Sequence, residues 1–329
     1  MNAASLRALL QERPLLLDAA LGTELSRRGA PSAPPLWSAR AVLETPGLVL
    51  AVHRENVAAG ADILTACTFR TQPRLLGEVA RDATRHAVAL AREAASVRPG
   101  LLVAGSVAPV EDCWRPDLVP AEAELARLHA LHAAALAEAG VDLLLLETFG
   151  TAREWLAAAR AATATGLAAV ASATTREDGA LLSGEPLGGA ARALLDLASP
   201  PVALGVNCVP ARRLGASLAL LAAAAPGVPL AAYGNPGIAI DEALGVPTED
   251  VATKWIRGGY IEELDKAQLP NVTKNLLASL QHPEWDKERT YTVPWQSGCT
   301  GIAYNGAVTS KVGSISELLT RPDLKGKVA

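Results

Sequence analysis

Lysine is missing from the first 253 residues of this 329-residue chain, and all seven lysines fall between Lys254 and Lys327. Arginine alone supplies the cations before that point, so the chain divides by composition before any motif is read. Aromatic residues make up only 4%, with two phenylalanines, and there is a single methionine. Any large core must therefore be aliphatic. Cysteine occurs only as Cys67, Cys113, Cys208 and Cys299, far apart and without a CxxC spacing, which excludes a disulfide framework and a zinc ribbon. Apolar runs such as Val141 to Leu146 fall far short of the roughly 20 residues of a membrane-spanning helix. A net charge of -4 without a basic stripe gives no support for nucleic-acid binding. The opening "MNAASLRALLQERPLLLDAA" has no basic segment feeding an apolar run and a cleavage site. A cytoplasmic protein without membrane or nucleic-acid partners is expected.

What is present is a repeated unit. From Leu15 to Tyr233 short apolar runs end in polar or glycine residues and give way to alanine-rich stretches of helical spacing. The runs "PLLLDA", "ADILTA", "LLVAGS", "VDLLLLE", "LAAVASAT", "PVALGVN" and "VPLAAYG" read as seven strands. Strands apolar on both faces, with helices between them, favour an α/β fold with a parallel sheet. Seven units in this length fit a (β/α)8 barrel lacking its eighth strand, with a doubly wound sheet as the alternative.

In a parallel barrel the functional end is the C-terminal rim of the strands. The polar residues that fall there are Asp18, Thr65, Thr68, Glu147, Asn207, Cys208 and Asn235. Two carboxylates, an amide and a thiol at one rim suit an ammonium group on one side and a metal on the other. Thr65, Thr68 and Asn235 fit equally well as helix caps or loop fasteners. Glu147 is harder to explain that way, because an acid directly after "VDLLLL" is costly when buried unless a cation or hydrogen-bond donors meet it.

The stretches "LLLDAALGTELSRRG", "GADILTACTFRTQP", "GSVAP", "DLLLLETF", "LLSGEPL", "GVNC" and "AAYGNPG" stand in an order and spacing that resembles the homocysteine S-methyltransferase family. Together they run from residue 13 to residue 237. The resemblance implies a (β/α)8 barrel over 1–237 that binds homocysteine at the strand ends and methylates its sulfur to give methionine, with homocysteine and a methyl donor as small-molecule partners. It implies zinc as cofactor, held by three cysteines and lowering the pKa of the substrate thiol. By motif, Cys208 is one zinc ligand, Asp18 and Glu147 take the homocysteine ammonium, and Asn207 lies beside the substrate.

Three departures stand out. Ala19 occupies a position where glycine is common in the family, and Cys67 one where asparagine is usual. The third concerns the metal: the adjacent cysteine pair of the family's "GGCCG" motif is absent. One thiolate does not make such a zinc site, so impaired turnover is expected. Cys67 and Cys113 read as small buried residues, and Cys299 lies in a segment without barrel pattern. His129 and His132, three apart on a helix, read as part of a packed or solvated face.

Beyond "AAYGNPG" the texture changes. The segments "VPTEDVATKWIRGGYIEELDKAQLPNV" and "YTVPWQSGCTGIAYN" within 246–329 resemble a piece of the extracellular polyamine-binding proteins of ABC transporters, with a seam at 238–245. Trp295 would line the ligand cleft of an intact relative. The alternative functions are accordingly a polyamine-binding transport component and a non-catalytic amino-acid-binding barrel.

Overall fold

Six parallel strands stand side by side in chain order: β1 Ile63–Ala66, β2 Leu102–Val107, β3 Leu143–Phe149, β4 Ala168–Ala173, β5 Ala203–Pro210 and β6 Leu230–Asn235. The computed structural model describes residues 1–31 and 34–235, and beyond these 256–257, 263–264, 266–268, 281–283 and 286–292. Helices α1 Ala3–Glu12, α2 Leu21–Arg27, α3 Ser38–Glu44 and α4 Pro46–Ala58 precede β1, and α5 Pro73–Leu76 and α6 Ala80–Ala95 follow it. One helix then follows each of β2 to β5: α7 Glu122–Ala139, α8 Ala152–Ala164, α9 Leu187–Leu195 and α10 Ala211–Ala224.

Alanine explains how the layers fit. In α6 the buried positions Ala80, Ala83, Ala87, Ala91 and Ala94 recur every three or four residues, so one narrow stripe faces the sheet. Small side chains let the helix approach closely and pack against Leu64, Val103 and Val107. Terminal signals are local. The Thr151 hydroxyl accepts from Glu154 N at the start of α8, and Gly140, at φ 86°, ends α7.

The sheet curls strongly. Strand β6 lies three places from β3, roughly 14 Å away in a flat sheet. Yet the Tyr233 hydroxyl on β6 faces the Glu147 carboxylate on β3. The inner face carries Ile63, Ala104, Leu143, Leu145, Ala168, Val170 and Ala203, with Leu6 of α1 packed among them. Helix α1 is fastened at the N-terminal ends of the strands, where the Met1 amine donates to Asp142 O and Ala168 N donates to Met1 O. The opposite end of the curl is left for a site. Gly205 permits that curvature: a Cβ there would meet Ala231 O on the next strand at 2.6 Å.

Two expectations need correction. The predicted first strand, "PLLLDA", is reduced to one parallel bridge between Leu17 and Ile63. Its outer side meets no strand among the described residues, and Leu16 stays 59% exposed. Hydrogen bonds from Asp62 N to Leu16 O and from Asp18 N to Ile63 O still hold the segment in line with β1. The architecture is therefore a curled six-stranded parallel sheet, a half-barrel, rather than seven strands of an eight-stranded barrel. The predicted seam at 238–245 and Trp295 and Cys299 lie outside the described residues.

The chain divides into two compact units, Met1–Ile238 and Ala239–Ala329. In the second, the buried Asp286 carboxylate accepts from Thr290 N, Tyr291 N and the Thr292 hydroxyl. Leu264 N donates to Thr290 O, and the Lys266 ammonium donates to Glu288 O.

Candidate active site at the strand ends

Period-two alternation puts Thr65, Ser106, Glu147, Ser172, Asn207 and Tyr233 on the same inner face as the apolar residues above, each nearer the C-terminal end of its strand. The register agrees. Leu145 stands opposite Val170 and Ser106, Ser172 opposite Gly205, and Asn207 opposite Tyr233. The inside of the half-barrel is thus apolar below and polar above.

Two carboxylates meet there. Asp18 accepts from Thr65 N at 2.9 Å and from the Thr65 hydroxyl at 2.7 Å. Glu147 accepts a short hydrogen bond from the Ser106 hydroxyl. Burial pushes Asp18 up to about 6 and Glu147 up to about 7, and the Asp18 charge adds to the rise at Glu147. Among the described residues no cationic side chain pairs with either. Because both carboxylates ionise at about 4 in the unfolded chain, the unliganded fold loses stability as pH rises from about 4 to about 6 for Asp18 and about 7 for Glu147, and the loss levels off above that. A bound cation removes that loss.

The thiol side is built on unusual backbone. Thr148 at φ 66° and Cys208 at φ 55° occupy the left-handed region, where non-glycine residues are uncommon. Each falls where strand pairing slips, between Leu146 and Phe149 and between Asn207 and Pro210. Such bulges re-aim side chains at strand ends. Wholly buried Asn207 fastens the two together: Thr148 N donates to its Oδ1 at 2.9 Å, and its Nδ2 donates to the Thr148 hydroxyl at 2.8 Å and to Cys208 Sγ at 3.3 Å. The Thr148 hydroxyl also donates to Cys208 Sγ at 3.6 Å. Burial nevertheless pushes the Cys208 thiol up to about 11.

The hydroxyls of Ser172 and Tyr233 are shielded from solvent yet complete no hydrogen bond of good geometry. Buried polar atoms left open beside two unpaired carboxylates describe a place for a polar, cationic ligand.

The other expected residues have more local roles. Thr68 ties β1 to β2, its hydroxyl donating to Ser106 O and accepting from Ser106 N. Asn235 is exposed at the end of β6. Cys67 donates to Ser38 O, and Cys67 and Cys113 are buried thiols pushed up to about 12. His129 and His132 are packed inside, facing Glu154 and Ser106 O respectively. Ser106, Thr148, Ser172 and Tyr233 were not picked out from the sequence. Counting back and forth in twos from Glu147 and Asn207 would have found Ser172 and Tyr233, since neighbouring strands repeat the polar-topped pattern.

The fit to zinc is poor. Cys208 offers one thiol, and among the described residues no group of three His, Cys, Asp or Glu converges on a common point. No helix among them is long and apolar enough to cross a membrane.

A curled parallel sheet with a polar rim at its strand ends defines the class, an α/β protein of half-barrel type. Residues 15–267 match the homocysteine S-methyltransferase family, and the chain belongs to it. The homocysteine S-methyltransferase of Escherichia coli K12 is 36% identical over 253 residues, covering 70% of this chain and 81% of that protein. The selenocysteine Se-methyltransferase of Brassica oleracea var. italica is 29% identical over 303 residues, covering 78% and 86%. The metallated crystal structure of the homocysteine methyltransferase MmuM from E. coli superposes with a TM-score of 0.65 at 33% identity, covering 72% of this chain and 89% of that one. The family match continues through residue 267, so it crosses the boundary expected at 237 and enters 246–329. The comparisons lend nothing to a polyamine-binding resemblance there, and the polyamine-binding alternative is not favoured.

Proposed function

We propose that the chain transfers a methyl group from a sulfonium-type donor to the sulfur of homocysteine, giving methionine, in the cytoplasm. The observation that carries this is the pair of carboxylates, half-buried Asp18 and buried Glu147, with no cation among the described residues to meet them beside the Cys208 thiol. The homocysteine ammonium bridges the carboxylates, held in turn by Thr65 and Ser106. That orients the thiol end toward Cys208, whose position is fixed by Asn207 and Thr148. A selenium analogue of the acceptor fits the same contacts.

Zinc, which the family uses, does not match the described residues, and no step is routed through it. The second reading, a barrel that binds methionine or homocysteine without turning them over, is not favoured by the relatives, and turnover tests it. The test incubates the purified chain with homocysteine, S-methylmethionine carrying deuterated methyl groups, and added zinc. Labelled methionine supports the transferase. Methionine binding without any label supports the second reading, and absence of both sinks the proposal.

Binding has a pH signature. The ligand ammonium needs ionised carboxylates, which the empty site holds protonated below about 7 for Glu147 and about 6 for Asp18. Methionine affinity, measured by calorimetry, is expected to fall roughly tenfold per pH unit from 7 to 6, and more steeply below 6 as the second proton joins. A flat profile from pH 5 to 8 would remove the carboxylates from the binding site.

For residues 246–329 the proposed origin is a second gene, supported by the confinement of lysine to the stretch after residue 253, while the family match through residue 267 counts against a join before that point. One sequencing read spanning the codons of Cys208 to Trp295 in source DNA tests whether the join is present there.

A further inference from the structure

An amino acid is a zwitterion, and the inner rim described so far supplies carboxylates and neutral groups but no cation. Arg70 lies four residues beyond β1, at the same end of the sheet, and is 2% exposed. Among the described residues it makes no ion pair. Its Nη1 donates to two backbone carbonyls, Pro109 O at 3.2 Å and Glu111 O at 2.6 Å. Its Nε is sealed from solvent without a partner. The rings of Trp37 and Phe69, stacked at 6.3 Å and both half-buried, lie 5.3 and 5.2 Å from the guanidinium carbon.

Asp112, Glu154 and Glu111 lie within electrostatic reach of the guanidinium, yet among the described residues none of their carboxylates hydrogen-bonds it, so its charge lacks a direct partner. The nearby acids are engaged elsewhere. Glu111 pairs with Arg74, and Glu154 accepts from Val110 N and faces His129. Arg70 is tied to the site through its neighbours: Thr68, two residues before it, binds Ser106, which in turn holds Glu147. Cys113 lies within electrostatic reach of both Arg70 and Cys208. The aromatic pair and the two carbonyls fix the plane of the guanidinium, a fork suited to a carboxylate.

We propose that Arg70, braced by Trp37 and Phe69, binds the α-carboxylate of an amino-acid substrate whose ammonium or sulfur end lies toward Asp18, Glu147 and Cys208. The inference rests on the amino-acid site of the proposed function and adds a second pole to it. The carboxylate belongs either to the acceptor or to the methyl donor, since both are amino acids when the donor is S-methylmethionine.

The test is calorimetry on the full chain and its Arg70→Gln variant with three probes: methionine, S-methylmethionine, and 3-(methylthio)propylamine, which keeps the ammonium and thioether but has no carboxylate. Arg70→Gln is expected to weaken one of the two amino acids by roughly 10- to 100-fold while leaving the amine unchanged. Loss confined to methionine assigns the carboxylate to the acceptor side, and loss confined to S-methylmethionine to the donor side. Equal loss for all three probes, or no loss for any, overturns the proposal and leaves Arg70 a fastener of the 109–111 loop. If Arg70→Gln does not fold, Arg70→Lys serves, which keeps the charge but lacks the fork and is expected to show the same selectivity at smaller amplitude. Failure of the wild-type chain to bind any probe overturns the amino-acid site itself, and this proposal with it.

Discussion

Replacing Glu147 with glutamine weakens methionine binding at pH 8 by roughly 30- to 1,000-fold, the consequence of removing one partner of a buried charge pair. The same change leaves thermal stability unchanged or raises it, because Glu147 is a buried carboxylate with Asp18 nearby and no cation beside it among the described residues. The amide retains an oxygen to accept the Ser106 hydroxyl, so the strand end keeps its geometry. Affinity and stability thus move in opposite directions, which a general loss of structure would not produce. Calorimetry alongside a melting curve reads both. Unchanged affinity for methionine would contradict the assignment of Glu147 to the ammonium.

Trp155→Ala carries the largest expected loss of stability. Trp155 is wholly buried in α8, inside the layer of helix and sheet residues that includes Leu144, Leu146 and Ala158. Truncating it removes about 3 to 5 kcal/mol through lost transfer energy and the cavity left behind. For a unit of this size that corresponds to a fall in melting temperature of roughly 6 to 20 °C. Trp155→Phe is the informative companion. Among the described residues its indole N–H has no hydrogen-bond partner, so exchanging it for phenylalanine costs less than about 1.5 kcal/mol. A large loss with phenylalanine would show that the N–H is bonded in solution.

The strands were easy to read because each is a short apolar run closed by polar residues: β1 and β4 fall within the expected stretches, and β2, β3, β5 and β6 begin inside theirs and run past the end. "PLLLDA" carried the same pattern but lacks a partner on its outer side among the described residues, so pattern alone overstated it. Strand formation depends on neighbours that a local run does not encode. Three helices, α2, α3 and α4, also intervene before β1, where simple alternation would place one.

The rim residues named from motif, Asp18, Glu147, Asn207 and Cys208, are brought together at one end of the sheet. Their supporting residues were harder to see. Ser106 matters because β2 and β3 pair in a register that carries its hydroxyl to Glu147. Thr148 matters because a bulge turns its backbone left-handed and its hydroxyl onto Cys208. Arg70 was not singled out from the sequence, and only its burial without a direct carboxylate partner among the described residues sets it apart. Register, bulges and missing partners are properties of the assembled sheet, so no window of sequence displays them. Zinc is the converse case: the resemblance implied three thiolates, whereas the described residues bring one.

The most direct measurement is a crystal structure of the chain with homocysteine bound. The account predicts the ligand nitrogen within about 3 Å of carboxylate oxygens from both Asp18 and Glu147, with the sulfur directed toward Cys208. Homocysteine bound elsewhere, or bound at this rim with its nitrogen away from both carboxylates, would contradict it.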